Sequence, residues 1–110
     1  MTPPVDTLER LSKTLSLRKD ANPEESYTAK LFAKGEDAIL KKIGEECAEL
    51  IIAGKGRLRS DIIYESADVF YHILALLAFN DIGINEVLQE LEKREGVSGI
   101  VEKKSRTAPK

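Results

Sequence analysis

The chain has 110 residues, enough for one domain that buries roughly 60–70% of its unfolded surface. Seventeen basic against nineteen acidic residues leave a net charge of −2, which argues against nonspecific binding to nucleic acid. Cys47 is the only cysteine and His72 the only histidine, so an intramolecular disulfide is excluded and a Cys/His zinc site within one chain lacks ligands.

The N-terminus shows no basic segment followed by an apolar stretch, so no signal peptide is expected. The longest unbroken apolar run, Ile73 to Phe79, is far short of a membrane span. A reducing cytoplasm is the expected setting.

In chain order, the first five residues are expected to be loose. Asp6 with Glu9 forms a capping-box pattern, and Leu8, Leu11 and Leu15 follow at helical spacing, so a first helix is predicted from Thr7 to Leu17. Arg18 to Glu25 contains Asp-Ala-Asn-Pro and reads as a charged connection. Ser26 is placed to cap a short second helix, Tyr27 to Lys34, stopped by Gly35. The third helix is predicted from Glu36 to about Ala53, with Ile39, Ile43 and Leu50 as its buried stripe and Gly54-Lys55-Gly56 as its end. Ser60 is the predicted cap of a fourth helix, Asp61 to about Asn80, and Asp61 suits its positive end. After the turn Asp81-Ile82-Gly83, Asn85 is the predicted cap of a fifth helix, Glu86 to Glu95, with Val87, Leu88 and Leu91 inward and Gly96 as the stop. The tail from Val97 is basic and reads as a frayed, solvated terminus, about 107–110 looser still.

No stretch reads as a strand. The expected fold is a single all-α domain over residues 1–110, a helical bundle of about five helices. The fourth helix is apolar nearly all round, more than one small bundle can cover. A two-fold homodimer is therefore expected to bury the remaining face.

Two acidic stretches stand out. Glu45, Glu46 and Glu49 fall within a roughly 100° arc of the third helix, and Lys42 lies inside that arc. Glu65 and Asp68 share a face of the fourth helix as an i,i+3 pair. An acidic helix face is ordinarily a solvated one, and the first group alone would not argue otherwise. Glu65 and Asp68 sit among apolar and uncharged neighbours with little solvated face available, and buried carboxylates need a partner. Three acids facing two across a helix pair would form a hard-oxygen site suited to Mg2+. Cys47, among apolar neighbours, reads as core and not as a nucleophile.

The pattern Glu-Glu-x-x-Glu followed by Glu-x-x-Asp resembles the signature of the MazG-like all-α nucleoside triphosphate pyrophosphohydrolases. Four segments resemble one branch, the phosphoribosyl-ATP pyrophosphohydrolase family. They are Ser26-Tyr27-Thr28-Ala29-Lys30-Leu31-Phe32-Ala33-Lys34-Gly35, Lys42 to Leu50, Glu65-Ser66-Ala67-Asp68-Val69-Phe70-Tyr71-His72, and Arg94 with Ser98-Gly99, Glu102-Lys103 and Arg106. The resemblance implies a hydrolase of histidine biosynthesis that uses Mg2+ to split phosphoribosyl-ATP into phosphoribosyl-AMP and diphosphate. It also implies the stand-alone form, because the Cys/His ligands of the often-fused cyclohydrolase are missing.

On that reading Glu45, Glu46, Glu49, Glu65 and Asp68 hold the metal. An acid left off it is the general base, either Glu46 or Glu49. Glu46 is favoured because it lies nearest the apolar stripe, where its pKa would rise. Lys42 either contacts a phosphate or relieves repulsion among the glutamates. His72, one turn beyond Asp68, either orients Asp68 from outside the metal shell or is a satisfied core residue. Arg94, Lys103 and Arg106 become candidates for the ribosyl phosphate, and Lys30 and Tyr27 for the nucleotide, Tyr27 by stacking.

Two rivals remain at this stage. A hydrolase of noncanonical nucleoside triphosphates would keep the acids without needing the phosphoribosyl-binding segments. A non-catalytic helical dimerisation module would need neither. A di-iron bundle is disfavoured, because its Glu-x-x-His motif is absent.

Overall fold

The computed structural model describes residues 5–96. The expectations for the first four residues and for Ser98, Gly99, Glu102, Lys103 and Arg106 lie outside the described residues. Among the described residues are five α-helices and no strand: α1 (Val5–Leu17), α2 (Tyr27–Lys34), α3 (Glu36–Gly56), α4 (Arg59–Phe79) and α5 (Ile84–Arg94). A single 3-10 turn, Arg18–Asp20, follows α1. The all-α expectation therefore holds, and the differences lie at the helix ends.

The start of α2 is as predicted: the Ser26 hydroxyl accepts from the Ala29 N–H at 3.2 Å. Gly35 alone joins α2 to α3, at φ 97° and ψ 175°. That conformation is open to glycine and strained for any residue with a Cβ. Elsewhere the local signals misplace the ends. The first helix begins at Val5, so Asp6 sits inside its first turn and not ahead of it. Gly54 and Gly56 do not stop α3. The helix runs through them to Arg57, which takes the left-handed conformation (φ 59°) and returns its N–H to the carbonyls of Ala53 and Gly54. Ser60 is not a cap either: α4 begins at Arg59, with Leu58 in the cap position and no side-chain hydrogen bond there. Asn85 likewise gives way to Gly83, whose N–H donates to the Glu86 carboxylate at 3.3 Å.

At the α3 and α4 ends the physical reason is shared. A two-residue link, Arg57-Leu58, lets α3 and α4 fold back as an antiparallel pair, the most extensive helix packing among the described residues. Mutual packing along two helices of 21 residues outweighs a cost of about 1 kcal/mol for a glycine inside a helix. The link is then as short as an αα-hairpin permits.

The core sits towards one end of this hairpin. Leu15 of α1, Leu31 and Phe32 of α2, Ile39 of α3, Leu74, Ala75 and Ala78 of α4 and Ile84 of α5 form it. Ile43, Val87 and Leu88 pack against it as expected, but Leu91 is 54% exposed. α4 is long and apolar enough, by length and composition alone, to cross a membrane. In the bundle its C-terminal half is the central core helix. Its N-terminal half and the end of α3 extend beyond the core, leaving Ile51, Ile52, Ile63, Tyr64 and Phe70 open to solvent.

Candidate active site

In an antiparallel hairpin, residues equidistant from the link face each other. Glu46 and Asp68, and Glu49 and Glu65, are the acidic pairs closest to that condition. The fold accordingly brings Glu46, Glu65 and Asp68 together: one carboxylate oxygen from each lies within 4.8 Å of the other two. Glu46 is more enclosed than Glu45, its side chain 13% exposed against 49%. Glu45 and Glu49 lie outside this group of three. Glu49 is still close enough to add to the field at Glu65, whereas Glu45 turns towards Lys42.

The electrostatics follow from this crowding. Partial loss of solvation raises the pKa of Glu65, and the negative charges of Asp68, Glu49, Glu46 and Asp61 raise it further. Lys42 bridges Glu45 at 3.7 Å and Glu46 at 3.6 Å. Its ammonium is held above the usual lysine range chiefly by Tyr27, which is phenolate at the alkaline pH where lysine titrates, and then by the two glutamates, against some loss of solvation.

His72 is buried, but its ring does not reach the Asp68 carboxylate. Nδ1 lies 2.8 Å from the Asp68 main-chain carbonyl, which can only accept, so in the neutral ring Nδ1 carries the proton and Nε2 accepts. The donor to Nε2 is the Tyr27 hydroxyl at 2.9 Å. Burial is the main cause that lifts the Tyr27 phenol above its ordinary pKa, so the hydroxyl keeps its proton at neutral pH. A second pair, Thr28 and Tyr71, is also hydrogen-bonded between α2 and α4. These contacts clamp the start of α2 against α4, one turn from the acids.

A groove of about 330 Å3 opens beside the acids, between α2 and α3. One wall is Tyr27, Lys30, Leu31 and Lys34; the other is Ala38, Lys41, Lys42 and Glu45. Each set has the spacing i, i+3, i+4, i+7, a single helix face, and Gly35 turns the two faces towards one another. Lys34 and Lys41 are missed by motif reading, because their shared groove depends on the angle at Gly35. The helical spacing itself was available as a signal. Arg94 stands at the end of α5 in a pair with Glu90 at 3.4 Å, and it does not line this groove.

A family model for phosphoribosyl-ATP pyrophosphohydrolase matches residues 8–95. The chain belongs to this family. A phosphoribosyl-ATP pyrophosphatase of Dechloromonas aromatica is 61% identical over 101 residues, covering 92% of this chain and 94% of that relative. One from Nitrosomonas eutropha is 52% identical over 107 residues, covering 97% and 92%. One from Geotalea daltonii is 55% identical over 102 residues, covering 92% and 95%. The family match contains both acidic stretches and the whole α2–α3 groove.

Proposed function

We infer that this chain hydrolyses phosphoribosyl-ATP to phosphoribosyl-AMP and diphosphate, the second step of histidine biosynthesis. Family membership over nearly the whole chain carries this reading. In the reaction the oxygen of one water bonds to the α-phosphorus, the α–β bridging P–O bond breaks, and diphosphate leaves with the bond's electron pair. The water's proton passes to a carboxylate.

Three partly enclosed carboxylates on two rigid helices, with Glu65 already strained by like charge, are an oxygen donor set that suits a hard divalent cation. Mg2+ is the proposed ion, held by Glu46, Glu65 and Asp68 with Glu45 and Glu49 at the periphery. When bound, it would supply charge neutralisation for the phosphates. Glu46 is a member of the converging group and is ion-paired with Lys42, so the role of base moves to Glu49, outside the group and beside it. On this reading Lys42 and Lys30, which line the groove, meet phosphate oxygens, and Tyr27, hydrogen-bonded to His72, packs against the nucleotide.

The exposed apolar stripe of the hairpin is proposed to pair with a second copy in a two-fold dimer, and the cytoplasm, where free nucleotides and Mg2+ coexist, is the proposed location. The test of function is diphosphate release with Mg2+ from phosphoribosyl-ATP and from a panel of ordinary and noncanonical nucleoside triphosphates. Selective cleavage of phosphoribosyl-ATP, lost in Glu49→Gln, is expected. Cleavage of nucleoside triphosphates alone would move the chain to the rival hydrolase reading.

A further inference from the structure

The acids explain how a phosphoanhydride is broken and leave unexplained how the substrate is chosen. Phosphoribosyl-ATP differs from ATP by an N1-linked ribosyl group that ends in a further phosphate. Selectivity requires some part of the protein to meet that second anion, and a charged contact discriminates far better than an apolar one.

The groove between α2 and α3 has the required charge. Four lysines and one glutamate line it, in a chain whose net charge is −2. Lys42 is occupied with Glu45 and Glu46 at the end bordering the acids. Lys30, Lys34 and Lys41 make no ion pair among the described residues. Like charges collected in one concavity repel one another, and an anion seated among them removes that repulsion while gaining their attraction. Leu31 and Ala38 supply the apolar part of its lining. Tyr27 stands at the junction of groove and acids, its hydroxyl held by His72. The groove thus borders the acids through Lys42 and Glu45, and Lys34 from α2 and Lys41 from α3 line it from opposite walls.

We propose that this groove takes the phosphate of the N1-linked ribosyl group, with Lys34 and Lys41 selecting the phosphoribosyl nucleotide over a plain nucleoside triphosphate. This rests on the hydrolytic reading above and adds to it the residues that read the second anion. Both lysines are exposed on helices, so their truncation leaves the core intact.

The experiment compares wild type, Lys34→Ala/Lys41→Ala and Lys34→Arg/Lys41→Arg by steady-state kinetics on phosphoribosyl-ATP, with ribose 5-phosphate and diphosphate as separate inhibitors. In the alanine variant KM should rise on the order of tenfold or more, with a much smaller effect on kcat. Ribose 5-phosphate should lose its inhibition while diphosphate keeps its own, and the arginine variant should restore both behaviours. An unchanged KM would overturn the assignment. So would loss of diphosphate inhibition with ribose 5-phosphate inhibition retained, which would give the groove to the leaving group. A wild-type chain that leaves phosphoribosyl-ATP intact would defeat the hydrolytic reading and this one with it; a variant indistinguishable from wild type defeats this one alone.

Discussion

Glu65 is a residue whose surroundings work against it. In the metal-free protein its raised pKa means that the folded state holds a proton to higher pH than the unfolded chain does. Stability from this group is therefore present at low pH and is lost as pH rises through the folded pKa. Glu65→Gln removes the penalty, so the metal-free variant is expected to melt above wild type at pH 7, the gap closing as pH falls below the ordinary glutamate range. The same variant should bind Mg2+ at least about tenfold more weakly by calorimetry. A variant less stable than wild type at pH 7 would mean that Glu65 has a favourable partner. At this scale the acids were readable in advance, because i,i+3 and i,i+4 spacing fixes a helix face. The partner of His72 was not: Tyr27 is 45 positions away, and no local spacing encodes that contact.

The helices themselves were largely legible from apolar periodicity, while their ends were legible only where local chemistry acts alone. Ser26 caps α2 with its own hydroxyl, so Ser26→Ala should cost about 1 kcal/mol and lower the thermal midpoint by roughly 4–8 °C. Ser60 and Asn85 have the same local credentials, yet the packing of α3 against α4 and the reach of Glu86 to Gly83 decide those ends instead. Arg57 shows what that packing imposes. A left-handed non-glycine residue is strained by about 1–2 kcal/mol, and glycine would add back about 0.4–1 kcal/mol of unfolded-chain freedom. The first term is larger, so Arg57→Gly is expected to stabilise the fold by a few tenths to about 1 kcal/mol in denaturant titration.

For the molecule as a whole, the decisive feature is the part of the hairpin that the other helices do not cover. Ile63, Ala67 and Phe70 share one outward stripe of α4, with Ile63 57% and Phe70 58% exposed, and Ile51 is 71% exposed near the end of α3. This is the surface proposed above to meet a second copy. Ile63→Lys with Phe70→Lys should halve the mass seen by sedimentation at micromolar concentration and leave the helical circular dichroism intact. A wild-type protein already at monomer mass would remove the dimer. The excess apolarity of α4 was legible from sequence. Which part of it the chain covers by itself depended on where α1, α2 and α5 dock.

The two-residue link between α3 and α4 also bears on the order in which the chain acquires its shape. Closing a contact across so short a link costs little chain entropy, whereas the bridge from Lys19 to Asp81 spans 62 positions. The hairpin is accordingly expected to form in the rate-limiting step of folding, and α1 to dock after it. Truncations within the hairpin should then slow refolding, and Leu15→Ala in α1 should mainly speed unfolding. The opposing carboxylates would meet before the core closes, so their mutual repulsion would be a brake on the folding rate as well as a burden on the finished protein.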